Sequence, residues 1–310
     1  MLYLLGSIFL TSYLTLAFKV VEKYKISNLQ TIVFNHFVCV IVGSIVNACL
    51  PDKQGQFPVT SNIFHEPWFF WASIMGIIFI SLFNLVAFTV QRIGVAVTSV
   101  ANKLSLVIPF LFSIYLYHDS ATVLKFLGVI VALIAVLLTC WPQKQSLNKQ
   151  VNGLPARGSA KTGINLLLII LPVALFIGSG LLDTMIKYVE KKFINESNNN
   201  IYLIIAFATA ATTGFVLLIF LFLTGKQKFD ARSMIAGVCI GVPNYFSIWC
   251  LLKVLRNYEY NSSSIIPINN MGIVLFSSVM AWLLFKEKIS AINWIGILLS
   301  LGAIALIAYG

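Results

Sequence analysis

The chain is a series of apolar runs of about 20 residues separated by short polar joints. A run of this length spans a membrane as a helix, because about 20 residues rising 1.5 Å each cross a hydrocarbon core of ~30 Å. Transmembrane strands would instead give alternating segments of about ten residues. We therefore predict an all-α integral membrane protein. Ten transmembrane helices are expected, over residues 2–21, 29–50, 68–90, 94–117, 121–141, 163–184, 201–224, 233–254, 263–285 and 290–309.

The composition fits a membrane protein and excludes several soluble classes. Hydrophobic residues make up 59% of the chain and charged residues 10%, where a soluble domain carries ~25% charged residues. The net charge of +11 comes from basic residues scattered through the joints, which suits lipid headgroups better than nucleic acid. We expect membrane lipid as a partner and no nucleic acid.

Motifs for catalysis, metal binding and ATP hydrolysis are missing. The five cysteines form no CxxC pair, and the three histidines lack the spacing of a zinc-binding helix. No Walker A sequence and no serine nucleophile elbow is present. We therefore predict no catalytic residue, no metal site and no cofactor, so the protein is not expected to be an enzyme.

The two halves of the chain repeat each other. The segment KVVEKYKI begins at Lys19 and KYVEKKFI begins at Lys187, with five of eight residues identical at an offset of 168. The same offset relates Asn102 to Asn270, Asp119 to Glu287, Gly128 to Gly296 and Ala135 to Ala303. A polar stretch with the composition of a flexible linker lies between the halves. We predict a first five-helix repeat at 1–141, a linker at 142–162 and a second repeat at 163–310.

Five crossings in each repeat place the second half upside down relative to the first. Inverted repeats are a device of secondary transporters, in which the halves exchange roles as the protein opens to either side. The substrate then binds near the midplane, between the repeats.

The segments HDSATVLKFLGVIVALIAVLLT, from His118, and KEKISAINWIGILLSLGAIALIA, from Lys286, have a common pattern. An acidic residue follows a long helix and precedes an apolar helix that contains glycine. With the ten helices and the repeat, this pattern resembles the EamA-type transporters of the drug/metabolite transporter superfamily, over essentially the whole chain. One position departs from the family, because many relatives have a basic residue early in the second span, where this chain has Asn35 and His36.

The resemblance implies a secondary transporter of small metabolites in the plasma or inner membrane. It also implies peripheral fifth and tenth spans, and a cavity between spans one, three, four, six, eight and nine. Both termini would lie in the cytoplasm. The basic residues favour the opposite orientation, since 13 lie in or beside the joints that follow odd-numbered spans and 7 in or beside the joints that follow even-numbered spans.

Ionisable residues inside a span are costly and are therefore candidates for function. Lys103 lies near the middle of the fourth span, where its ammonium would bind a carboxylate or phosphate of the substrate. The alternative is a lysine that snorkels to the interface. Asp183, near the predicted end of the sixth span, would be its countercharge or a proton-coupling group. The alternative is an interfacial residue beside Lys187.

Polar residues at repeat-related depths complete the predicted substrate site. Amides in lipid must find hydrogen-bond partners, so each is either a bond between helices or a ligand of the substrate. A tyrosine in the first span is a weaker candidate, since amphipathic rings are common at interfaces. The predicted substrate-binding residues besides Lys103 and Asp183 are Asn84, Asn102, Asn244, Asn269, Asn270 and Tyr13.

The sequence thus predicts a secondary, non-ATP transporter or exporter of a small polar metabolite that carries a carboxylate or other anionic group. A coupling proton or ion is allowed, and no oligomer is required. The alternative is a non-transporting membrane scaffold or lipid-handling protein whose polar residues are structural.

Overall fold

A computed structural model describes residues 2–49, 63–117, 122–139, 166–193, 199–257, 262–287 and 289–309. These residues form eleven α-helices and a short 3-10 turn, Ile63–His65. The helices are α1 Leu2–Lys23, α2 Asn28–Cys49, α3 Pro67–Ile93, α4 Val95–Leu104, α5 Val107–Tyr117, α6 Val123–Thr139, α7 Leu166–Phe193, α8 Asn199–Leu223, α9 Ala231–Asn257, α10 Ser262–Phe285 and α11 Ala291–Tyr309. The predicted linker at 142–162 and Asp119 lie outside the described residues.

The fold class predicted from the sequence is confirmed. Within the described part of the chain, eight segments are long and apolar enough to cross a membrane, and α6 and α11 supply two shorter apolar helices. Large aliphatic side chains face outward on several helices, among them Leu137, Val216 and Leu284, which are 64%, 66% and 65% exposed. Outward aliphatic side chains on helices this apolar are expected to contact lipid. The chain is a multi-pass integral membrane protein.

The fourth span is broken in the middle, where the sequence predicts one helix. α4 ends at Leu104, Ser105 and Leu106 form a turn, and α5 begins at Val107. Pro109 has no N–H to donate to the Ser105 carbonyl four residues earlier, and Ile108 donates to it instead, at 2.9 Å. The proline thus accounts for the break, whereas Pro172 and Pro243 lie within continuous helices.

The sixth span is longer than predicted. α7 continues to Phe193, nine residues past the predicted end at 184. The charged segment that follows Met185 has an apolar face, on which Val189 is buried. Because this face packs against the protein, the segment continues the helix as an amphipathic turn. As a result Asp183 lies ten residues, or about 15 Å, before the end of its helix.

Eight helices pack side by side in a closed ring. In order around the ring they are α2, α9, α1, α10, α4, α7, α3 and α8, which returns to α2. α5 continues α4 and packs on α7, while α6 and α11 pack on each other outside the ring, against α4 and α10. Of the helices related by the predicted repeat, α2 neighbours α8 and α4 neighbours α10, whereas α1 and α7, like α3 and α9, are three places apart in the ring.

The α6–α11 contact is reciprocal. A Cβ on Gly128 would meet the Ala303 carbonyl oxygen at 3.1 Å, and a Cβ on Gly296 would meet the Ala135 carbonyl oxygen at 3.0 Å. The two glycines and the two alanines are the pairs that the offset of 168 relates in the sequence. The same contact is therefore made twice, as a twofold relation between the halves requires.

Candidate functional site

Lys103 and Asp183 lie on neighbouring helices inside the ring. Lys103 is in the last turn of α4, directly before the break, and α4 packs against α7, which carries Asp183. Their charges interact electrostatically. They do not form a contact ion pair, because the pairs within 4.0 Å among the described residues are Lys19–Glu22 and Arg232–Asp230.

Ser105 joins these residues and was not foreseen from the sequence. Its hydroxyl donates to the Asn102 carbonyl oxygen at 2.5 Å and also approaches the Asp183 carboxyl group. A hydroxyl in the turn between two half-helices can reach groups that a residue within a helix cannot. The available signal was Pro109, since a proline disrupts the helix at the residue four positions before it.

Asp183 is exposed although it is deep in the bundle. The outward face of α7 is a stripe of Ile170, Ile177 and Leu181, all exposed. Asp183 follows Leu181 by two residues, and each residue of an α-helix is rotated by about 100° from the one before it. The Asp183 side chain therefore points about 200° away from Leu181, toward the interior of the ring. An exposed interior carboxyl group borders a space inside the ring that water can enter.

The asparagines of α3 and α4 are half-buried. The amide nitrogen of Asn84 donates to the Ile80 carbonyl of its own helix at 2.7 Å. Asn102 precedes Lys103, and its backbone carbonyl faces Ser105. The structure thus brings Asn102, Lys103 and Asp183 together around Ser105.

Asn244 lies elsewhere, in the contact between α9 and α2. Its amide nitrogen is 3.2 Å from the Asn35 side-chain oxygen and 3.5 Å from the Cys39 sulfur. Asn244 is 2% exposed and Asn35 is fully buried. In this conformation the Asn244 amide holds two helices together. The neighbouring His36 is also buried, and its Nδ1 is 2.7 Å from the Ile32 carbonyl oxygen.

Asn269 and Asn270 are buried in α10, which packs against α4 and α1. Among the residues that the structure describes, the side-chain oxygen of Asn269 has no hydrogen-bond partner. Tyr13 is on the outer face of α1, which also exposes Leu5 and Phe9, and it approaches Cys239 of α9. The structure does not bring Tyr13 to Lys103. For all of these residues a role in binding substrate stays a prediction.

Within the described ranges, no three His, Cys, Asp or Glu side chains come close enough to hold a metal ion. Among the described residues, the structure brings together one amine, Lys103, and one carboxyl group, Asp183, and the Ser105 hydroxyl approaches the carboxyl group. Such a set can bind an anion or exchange a proton.

Comparison with known proteins finds a similar family, a relative and a similar fold. Residues 165–309 match the EamA-like transporter family. An uncharacterized protein of Haemophilus influenzae is 27% identical over 293 residues, which cover 94% of this chain and 92% of the relative. A crystal structure with 13% identity superposes with a TM-score of 0.57 over 99% of this chain and 96% of the other, which shows a common fold. The second half of the chain is thus similar to the EamA-like transporter family.

Proposed function

We propose that the protein is a secondary transporter of a small polar metabolite that carries a carboxylate or another anionic group. EamA-like proteins are membrane transporters. The observation that supports an anionic substrate is the arrangement of Lys103 and Asp183, which interact inside the ring without a contact ion pair. A lysine that only snorkelled to the membrane surface would not meet a carboxyl group there.

In this proposal Lys103 supplies the fixed positive charge of the site. An unpaired charge in the middle of a membrane costs at least ~2.5–3.5 kcal/mol. Asp183 offsets much of this cost when the substrate is absent, and an anionic group of the substrate takes over that role when it binds. Ser105 and Asn102 supply neutral hydrogen-bonding groups beside the charge. A coupling proton would be carried by Asp183 once the substrate has displaced it from Lys103.

The exchange of partners also links binding to movement of the halves. Lys103 belongs to the first repeat and Asp183 to the second, so the strength of their interaction depends on how the two repeats are placed. A ligand shifts a conformational equilibrium only through its different affinities for the two states. An anion that competes with Asp183 for Lys103 has different affinities for the two conformations. Alternating access between inverted repeats requires such a difference.

The test is metabolite profiling of cells and medium, with and without expression of the protein. We expect at least one anionic or zwitterionic metabolite to change its distribution with the wild-type chain. Lys103→Met should remove that change at equal membrane abundance. Lys103→Arg should restore only part of it, because a planar guanidinium and a compact ammonium differ in shape. Lys226→Met, in an exposed joint, is the matched control and should behave as wild type.

Two outcomes would contradict the proposal. Normal transport by Lys103→Met would make the lysine a membrane anchor and remove the argument for an anionic substrate. No change of any metabolite with the wild-type chain, followed by no uptake of the same candidates in proteoliposomes, would favour the scaffold or lipid-handling alternative.

A further inference from the structure

Three helices are tied together at one end of the ring. We call this end the Gly94 face; it comprises the joints 24–27, Gly94, 224–230 and 286–287. There the side chains of Asn28 in α2 and Gln91 in α3 exchange two hydrogen bonds, each of 2.8 Å. The Gln91 amide nitrogen also lies 3.4 Å from the Phe18 carbonyl oxygen of α1. Because α1 and α3 are not neighbours around the ring, their contact crosses its interior and closes it at this face.

The repeat identifies the corresponding place in the second half. A Cβ on Gly76 of α3 would meet the backbone of Ala206 in α8, and a Cβ on Gly237 of α9 would meet Phe34 in α2. Treating these two contacts as equivalent gives offsets of 237 − 76 = 161 for α3 and α9, and 206 − 34 = 172 for α2 and α8. The counterpart of Asn28 is then Asn200, and the counterpart of Gln91 is Leu252.

At this second place the helices stand apart. A small cleft lies between α8 and α9 at the end of the ring opposite the Gly94 face. It is lined by Asn200, Leu203, Phe207, Tyr245, Ile248 and Trp249. In the described residues α7 makes little contact with α9, although α1 packs on α3. One end of a molecule built from two similar halves is closed, and the other is open.

We propose that Asn28 and Gln91 form the latch of the closed gate, and that the cleft beside Asn200 is the open gate. This inference rests on the proposed transport function, for which the two gates must open in turn. Release of the latch would let α1 move away from α3 while α8 and α9 close the cleft. Leu252 cannot take part in an amide pair, so the opposite state has no equivalent latch. The latch therefore favours the state in which the Gly94 face is closed.

A thiol-labelling experiment tests the latch without any substrate. The native cysteines are replaced, and Ala87→Cys serves as the reporter. Ala87 is fully buried and lies one turn before Gln91 on the same face of α3. In detergent, Gln91→Leu should raise the rate of labelling of this cysteine with a hydrophilic maleimide about fivefold or more. A fivefold shift corresponds to about 1 kcal/mol, which is typical of one net hydrogen bond.

Gln30→Leu is the matched control. The Gln30 amide also makes two hydrogen bonds near the Gly94 face, to the Lys228 carbonyl at 2.7 Å and from the Asp230 N–H at 3.0 Å. These bonds join α2 to the joint between α8 and α9 and do not cross the interior. We expect Gln30→Leu to leave the labelling rate unchanged. In the swapped pair, Asn28→Gln with Gln91→Asn, the two amides can still bond, so the reporter should be protected as in the wild type. This variant shows whether the effect of Gln91→Leu comes from the lost pair or from a folding defect.

A second reporter separates gate exchange from local loosening. Ile248→Cys lies in the cleft, and Gln91→Leu should slow its labelling as the cleft closes in part of the molecules. A faster reaction at position 87 with no change at position 248 would overturn the proposal in favour of local fraying. Equal effects of Gln91→Leu and Gln30→Leu would overturn it as well. Because no step involves transport, these outcomes are independent of the proposed function.

Discussion

Asn35 and Asn244 show that an amide within a span of this protein can serve packing alone. Their side chains are buried together between α2 and α9 and are 3.2 Å apart. A buried amide that loses its partner costs about 1–3 kcal/mol, whereas loss of both partners costs less. Asn84 differs, because its amide bonds to its own helix and leaves the side chain half-buried. The environment, and not the residue type, separates Asn84 from Asn244.

A double-mutant cycle on this pair should detect their coupling. We expect Asn35→Ala and Asn244→Ala each to lower the free energy of unfolding by about 1 kcal/mol, within the range measured for hydrogen bonds between membrane helices. The double variant should lose less than the sum of the two. Unfolding by denaturant in mixed micelles measures all three changes. Asn84→Ala is the control, with a change within about 0.5 kcal/mol, and strict additivity would contradict the assigned hydrogen bond.

At the scale of whole elements, α6 and α11 approach each other closely because each has a glycine at the contact. A Cβ on Gly296 would meet the Thr139 side chain and the Ala135 carbonyl oxygen. Gly302 belongs to the same helix, and a Cβ there would meet nothing within 4 Å. Small residues at such contacts let membrane helices approach backbone to backbone.

These two glycines of α11 provide a matched comparison. Gly296→Ala should destabilise the protein by about 1–3 kcal/mol, since the overpacked helices must separate. Gly302→Ala should be neutral or stabilise the protein by up to about 1 kcal/mol, because alanine is the better helix former. Thermal unfolding in detergent compares them. Equal melting temperatures would show that α6 and α11 do not pack at Gly296.

The start of α4 is held by the joint before α11. Glu287 accepts hydrogen bonds from the Val95 N–H at 3.0 and 3.2 Å, where a negative charge also interacts favourably with the helix dipole. Gly94 has a φ of +114°, and a Cβ at this residue would lie 2.9 Å from a Glu287 carboxyl oxygen. Only glycine suits this position, because it tolerates the positive φ and leaves room for the carboxyl group.

Stability should depend on pH through Glu287. Burial raises the pKa of Glu287 above its ordinary value, against the opposing effects of the Val95 N–H and Lys19. A raised pKa means that the folded state binds a proton more tightly than the unfolded state. The stabilisation is complete below the ordinary pKa of about 4.3 and is lost as the pH rises through the raised value. The melting temperature of Glu287→Gln should fall less than that of the wild type from pH 4 upward; parallel curves would contradict this.

At the scale of the whole molecule, the ring has two ends that differ although the halves are alike. α1 ends at the Gly94 face, whereas α7, its counterpart in the second half, ends at the opposite face. A twofold relation about an axis in the membrane plane would therefore connect the proposed closed gate to the proposed open gate. The same relation places the basic residues of equivalent joints on opposite sides, which weakens the charge bias as a guide to orientation.

Single-cysteine labelling can establish both the inversion and the orientation. On a cysteine-free background, Lys23→Cys at the end of α1 and Lys192→Cys near the end of α7 should react with an impermeant reagent from opposite sides of the membrane. Labelling in right-side-out and inverted vesicles measures this. Reaction from the same side would refute the inverted repeat. The side that reaches Lys23 identifies the compartment of the Gly94 face, and so decides between the charge bias and the family resemblance.

The sequence by itself determined the class of the protein, the approximate spans and the repeat. It could do so because membrane spans are local: a run of apolar residues forms a helix in lipid whatever surrounds it. The offset of 168 related Gly128 to Gly296 before any contact was known. Lys103 and Asp183 could also be singled out, since a charge within an apolar run stands out in the sequence.

Tertiary structure alone decided what those charges and amides contact. It brought Ser105 between Asp183 and Asn102, paired Asn244 with Asn35, and left Tyr13 on an outer face. It extended α7 so that Asp183 is well inside the helix, which the charged residues after it had obscured. The side on which a helical residue faces a partner, a cavity or lipid depends on packing against distant segments. Hydropathy along one segment contains no information about that packing.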